Sequence, residues 1–91
     1  MRKIMWEAEA AGIDLCPHAW LTDLNTAAAL HVNAALPRSL FLEYNVSSSP
    51  MLRDIIENPV QMDSNGMIAV PTEPGLGISI NEKAVEKYRI L

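Results

Sequence analysis

The sequence predicts an α/β chain with parallel strands that is part of a larger architecture, and three observations carry that reading. Helical and extended segments alternate through its first 57 residues, which is the grammar of parallel α/β structure. The two strand candidates, residues 13–16 and 39–44, are almost continuously apolar, as parallel strands covered on both faces are. The helix between them is apolar around most of its circumference and needs neighbours on several sides. A parallel sheet of only two strands has two open edges and too little area to stand alone.

The elements follow in order. Residues 1–11 place Ile4, Met5, Ala8 and Ala11 at helical spacing, and Gly12 supplies the stop. Ile13-Asp-Leu-Cys16 reads as a buried strand ended by Pro17. Thr22 or Asp23 caps the Ala-rich helix, which runs to about Leu36 before Pro37. Ser39-Leu-Phe-Leu-Glu-Tyr44 is the second strand. Ser49 then offers a cap and Pro50 a first helical position for a short helix to about Glu57. Asp63-Ser-Asn-Gly66 is turn chemistry, and residues 67–70 make a short strand beyond it. Pro71, Pro74, Gly75 and Gly77 impose a loop, and Asn81 caps a last helix over residues 82–88.

Composition excludes several classes of function. At 49 % hydrophobic and 20 % charged, the chain is globular rather than disordered. The net charge of −4 and the scattered basic residues leave no positive patch for a phosphate backbone, so nucleic acid is not an expected partner. No run approaches the roughly 18 apolar residues of a membrane span. The single cysteine, Cys16, forms no internal disulfide, and no continuous apolar leader opens the chain, which predicts a cytoplasmic protein.

Four segments then come in a recognisable order: Cys16-Pro-His-Ala-Trp20, Ala28-Ala-Leu-His-Val-Asn-Ala-Ala-Leu-Pro37, Phe41-Leu-Glu-Tyr44 and Pro71-Thr-Glu-Pro-Gly-Leu-Gly-Ile78. Together they resemble the C-terminal third of the mandelate racemase/muconate-lactonizing branch of the enolase superfamily, and within it the sugar-acid dehydratases. The resemblance implies the C-terminal fragment of a (β/α) TIM-type barrel, whose site lies at the C-terminal ends of its strands. Residues 13–17 would be the seventh strand and 39–43 the eighth. Residues 1–62 would then form the barrel fragment, and residues 63–91 a tail packing on the capping-domain side.

The same resemblance assigns roles. His18, just past the Pro of its segment, matches the family's catalytic general base or acid, a task suited to imidazole because it titrates near neutral pH. Read without the family, a His after a Pro is an ordinary surface or packing residue. Glu43 matches the carboxyl that hydrogen-bonds the substrate carboxylate in its protonated form; read alone, it faces solvent at a strand end. Trp20 is a candidate lining of the pocket mouth, with packing as the equal alternative. His31, inside the Ala-rich helix, reads as a satisfied core or interface residue. Asp14 and His18 share a strand face but lie about 13 Å apart at the usual rise, too far for one ion. Cys16 reads as a barrel-interior hydrophobe, Ser47 to Ser49 as helix capping, and Asp54, Glu57 and Glu73 as solvated surface.

The resemblance also implies that the three carboxylate ligands for Mg²⁺, a Lys-containing motif and an Asp that orients the His belong to strands outside these 91 residues. Mg²⁺ is thus a cofactor of the intact family enzyme and is not expected to bind this chain alone. The expected function is the C-terminal portion of a Mg²⁺-dependent sugar-acid dehydratase, inactive as an isolated chain. A racemase or cycloisomerase of the same superfamily and a non-catalytic binding or oligomerising module are the alternatives. Partners would be a sugar acid in the intact enzyme and, for the open edges and apolar helix, a complementary N-terminal chain or a second copy.

Overall fold

The structure is a computed structural model, and it describes residues 1–90. Helix α1 (Arg2–Ala10) ends at the predicted glycine. Gly12 sits at φ 68°, its N–H donates to the Glu9 carbonyl at 3.0 Å, and the Ile13 N–H reaches back to Ala8 at 2.9 Å. That pair of bonds around a left-handed residue terminates the helix, and a side chain at Gly12 would cost about 1–2 kcal/mol.

Helix α2 (Asp23–Ala34) follows an extended Thr22 and stops two residues before the predicted end. It is covered on one side, while Leu24, Asn25 and Ala34 remain exposed. Ala27 and Leu30 are buried with Val60, and Leu42, Tyr44, Ile68, Leu76 and Ile78 pack around them. The tail of the chain therefore closes over one side of α2. His31 is tied into the same contact, with its Nε2 3.1 Å from the Leu76 carbonyl.

Helix α3 (Met51–Asp54) is shorter than predicted, because tertiary pairing claims the residues beyond it. The Ile55 carbonyl accepts from the Asn81 N–H at 2.8 Å, and the Glu57 N–H donates to Ser79 at 2.9 Å around an Ile56–Ile80 antiparallel bridge. Leu52 and Ile56 are consequently the large apolar side chains most completely removed from water. The predicted turn forms, with Asp63 Oδ1 accepting from the Asn65 and Met67 N–H groups at 2.8 Å. The predicted strand over residues 67–70 is reduced to one bridge, Met62–Ile68, since no further strand lies beside it among the described residues. Asn81 caps α4 (Glu82–Lys87) as expected, accepting from the Ala84 N–H at 3.2 Å.

The two principal strand predictions need correction. Residues 13–16 and 39–44 are extended connections rather than strands, and among the described residues no backbone–backbone hydrogen bond involves 14–19 or 38–48. They nevertheless run side by side in parallel order. Asp14 meets Arg38 at 3.1 Å, Cys16 donates to the Phe41 carbonyl at 3.4 Å, and His18 meets Glu43 at 2.8 Å. A parallel pair gains little per residue without flanking strands, so side chains rather than a ladder hold this register.

The chain is also more open than its size allows for a free-standing domain. Its radius of gyration is 14.3 Å, against about 12 Å for a compact domain of this length. Its accessible surface is 6492 Å², about 1,200 Å² more than a folded monomer of 10.0 kDa exposes. Ile13, Trp20, Leu21, Leu40 and Phe41 supply part of the excess, and Phe41 is 64 % exposed. All of them belong to the two extended runs or their ends.

Candidate active site

Alternation along the two runs decides which side chains meet. Pro17 and Ala19 turn inward and are buried, so Cys16, His18 and Trp20 face the opposite, open side. On the neighbouring run Leu42 and Tyr44 pack toward the α2 cluster, which leaves Phe41 and Glu43 facing the same way as His18. His18 and Glu43 are thus brought together at the C-terminal ends of the runs. The imidazole Nδ1 lies 2.8 and 2.9 Å from the two Glu43 oxygens. Trp20 stacks on the His18 ring, with centroids 6.0 Å apart and planes within 10°. The His18 side chain is 70 % exposed and Glu43 39 %, so the group faces an unenclosed space. A small cavity of about 110 Å³ borders His18 between Pro17, Asn25 and the α2 residues Ala28, Ala29 and Val32.

The other named residues separate from this group. Asp14 pairs with Arg38, and His31 lies in the α2–tail contact. Asp54 is not merely solvated: it accepts from the Tyr88 hydroxyl at 2.7 Å and from Lys87 at 3.2 Å, docking α4 on α3. Tyr88 chiefly, then Lys87, hold its carboxyl below the usual carboxylate range, and Lys87 is pushed up in turn. An apolar groove of about 400 Å³ lined by Leu30, Phe41, Met62 and Ile68 includes neither His18 nor Glu43 in its lining and has Tyr44 as its sole titratable side chain.

Sequence reasoning missed a buried polar knot beneath the site. Asp23 is fully buried at the first turn of α2, where its carboxylate pairs with Arg53 and accepts the Val60 N–H at 3.1 Å. The Arg53 guanidinium also donates to the Asn45 carbonyl at 2.8 Å and lies 4.6 Å above the Tyr44 ring. Tyr44 in turn donates to the Val60 carbonyl at 2.9 Å. Burial pushes the Asp23 carboxyl above its ordinary range, against the opposing pull of Arg53 and the Val60 N–H. This knot fixes the start of α2 and the run after Glu43 relative to each other. Nothing in the spacing of residues 23, 45, 53 and 60 announces it.

The residues present do not fit a Mg²⁺ site. That ion wants near-octahedral oxygen ligands, whereas Glu43 is engaged by an imidazole and Asp14, further along the run, by Arg38. Among the described residues no three His, Cys, Asp or Glu groups converge. No described helix is long and apolar enough to cross a membrane.

Two adjacent parallel runs joined through a packed helix, with an imidazole and a carboxylate meeting at their ends, make a unit of a parallel α/β fold. Residues 1–84 match the enolase C-terminal domain-like family, and the chain belongs to it. It is 31 % identical to D-galactarolactone cycloisomerase of Agrobacterium fabrum, over 99 % of this chain and 26 % of that enzyme. It is 33 % identical to D-xylonate dehydratase of Haloferax volcanii, over 98 % of this chain and 21 % of the relative. The crystal structure of an enolase-superfamily member from Polaromonas sp. JS666 superposes with a TM-score of 0.86 at 32 % identity, over 99 % of this chain and 24 % of that one. The chain therefore spans about a quarter of the length of the proteins it matches. The family-level resemblance read from the four sequence segments is thus shown.

Proposed function

We propose that these 91 residues are the last two strand–helix units and the tail of a sugar-acid dehydratase, with His18 as its general base or acid. The observation that carries the reading is the meeting of His18 and Glu43 at 2.8 Å on an open face. In the assembled enzyme, residues 13–17 become the seventh strand and 39–43 the eighth, and residues 63–91 form the tail toward the capping domain. The surface excess of about 1,200 Å² is larger than one partner's share of an ordinary interface, about 800 Å². It suits a chain whose neighbouring strands lie elsewhere, in a longer polypeptide or a second one.

Dehydration removes the proton beside the substrate carboxylate and expels the neighbouring hydroxyl as water. His18 is the group on this chain that can move that proton, because imidazole both takes and gives one near neutral pH. Glu43 contacts the substrate carboxylate, and Trp20 lines the mouth of the pocket. Mg²⁺ would be held by residues outside this chain. With no metal site and no opposing base among its described residues, the chain by itself lacks the charge stabilisation the reaction demands and is inactive. The similarity to a galactarolactone cycloisomerase supports cycloisomerisation as the second reading.

The test mixes this chain with the complementary N-terminal part, about four-fifths, of a dehydratase relative and assays a sugar-acid panel with Mg²⁺. Turnover to a 2-keto product is expected from the mixture alone. Turnover by the isolated chain would overturn its incompleteness, and a rearranged lactone or an epimer would replace dehydration by the alternatives.

A further inference from the structure

We infer that Arg53 is a positioning residue of the candidate site: its two-armed guanidinium clamps the chain that follows His18 to the chain that follows Glu43 and so sets the register in which the two runs meet. This role rests on the reading of the two runs as part of an active site, and it assigns no further chemistry to His18 or Glu43.

The runs do not fix their register by themselves. Among the described residues no backbone–backbone hydrogen bond involves 14–19 or 38–48. The contacts between the runs, Asp14 with Arg38, Cys16 with Phe41 and His18 with Glu43, lie on the solvent side. Exposed contacts of this kind contribute little and are screened by salt, so they follow the register rather than impose it. A slip of one residue would turn Glu43 away from His18, and a slip of two would carry it about 6–7 Å along the run.

The clamp is buried where those contacts are not. Nη1 of Arg53 donates to Asp23 Oδ1, and Nη2 donates to the Asn45 carbonyl at 2.8 Å. Asp23 is 0 % and Asn45 3 % exposed. Asn45 lies two residues beyond Glu43, and Tyr44 between them sits 4.6 Å under the guanidinium and donates to the Val60 carbonyl at 2.9 Å. Asp23 lies five residues beyond His18, through a connection with little slack. The Thr22 N–H donates to the Trp20 carbonyl at 3.1 Å, a three-residue turn that holds Leu21 at φ 75°. A leucine keeps that left-handed conformation only where its surroundings hold both sides of the turn. Trp20, stacked on His18, holds one side, and buried Asp23 holds the other. The placement of Asp23 is thus passed to His18, and that of Asn45 to Glu43. A guanidinium can serve both acceptors at once because its donors are fixed in one planar fork.

Disulfide trapping with the native Cys16 reads the register directly. By alternation positions 39 and 41 face the same side as Cys16, and position 41 lies beside it. In a glutathione redox buffer the full chain carrying Phe41→Cys should close an intramolecular disulfide with Cys16 about tenfold more readily than the chain carrying Ser39→Cys, because only the first pair is within bridging reach. Adding Arg53→Met should cut that preference to about threefold or less, since the runs are then free to slip. Gly77→Ala, which strains the tail outside the knot, should lower Tm yet leave the preference intact, and this separates lost register from lost stability. A preference unchanged by Arg53→Met in a folded chain, or erased equally by Gly77→Ala, would overturn the inference. Where Arg53→Met does not fold, nitrogen-15 NMR of the unsubstituted chain decides. With both arms engaged the two Nη signals of Arg53 stay separate, and a single averaged signal would overturn the clamp. Neither readout involves turnover, so a failed complementation assay leaves the result standing, and the converse also holds.

Discussion

Replacing Arg53 by Met should expose how much the buried knot contributes. Met keeps the length and apolar stem of the side chain but removes three interactions: the ion pair with Asp23, the bond to the Asn45 carbonyl and the stacking on Tyr44. Breaking a fully buried pair costs about 3–5 kcal/mol, because the remaining charge is stranded. Arg53 is 30 % exposed while Asp23 is 0 % exposed, which places the loss at the lower end, about 3 kcal/mol. A chain of this size has a total stability of about 5–14 kcal/mol, so the loss is a large fraction of it. The urea midpoint should fall by about 1–3 M, followed by tryptophan fluorescence and far-UV dichroism. The effect should also depend on pH with a definite sign. Burial raises the folded-state pKa of Asp23 above 3.8, so its proton-linked stability is present below that value and is lost as pH rises through the folded pKa. Removing the opposing Arg53 charge raises that pKa further, and the deficit of the variant should be larger at about pH 8 than at about pH 5. A deficit under about 1 kcal/mol, or one that does not change with pH, would refute the assignment of Asp23 as a stranded buried charge.

Three further outcomes follow from other contacts. Gly77→Ala places a methyl against the Cβ of Pro71 on a residue at φ 67°, and the combined clash and left-handed strain should cost about 2–4 kcal/mol, read as a fall in Tm of at least about 8 °C. Tyr88→Phe removes the leading cause of the depressed Asp54 pKa, and carbonyl NMR should show that carboxyl titrating nearer 3.8. In the intact chain this contact stabilises above pH 3.8 and is lost as pH falls through the depressed value, so the protection factors of the α4 amides, taken against the intrinsic exchange rate at each pH, should fall in acid. Finally, the exposed Ile13, Leu40 and Phe41 beside unpaired backbone should drive concentration-dependent association in light scattering, and a clean monomer at high concentration would contradict this.

Much of the local structure was legible in the order of residues. Gly12, Asn81 and the Asp63–Gly66 turn act where predicted, because each depends on a backbone preference or a side chain reaching two to four residues along the chain. The all-round apolar helix predicted neighbours on several sides of α2, and the folded chain supplies them on one, around Ala27 and Leu30. The family is readable for a related reason: the segments that carry the resemblance are runs of consecutive residues within the matched residues 1–84.

Tertiary structure decided what depends on distant partners. Whether residues 13–16 and 39–44 pair as strands is a question of neighbours, and without flanking strands they remain extended and are held through side chains. The end of α3 is set by residues 79–81, some 25 positions away, and Asp23 becomes a buried charge through Arg53 and Val60. The pairing of His18 with Glu43 belongs to the same class, since two side chains 25 residues apart meet only once both runs lie in parallel register. Short-range conformational preferences are written into consecutive residues, whereas hydrogen-bonding partners and burial emerge only when the chain folds back on itself.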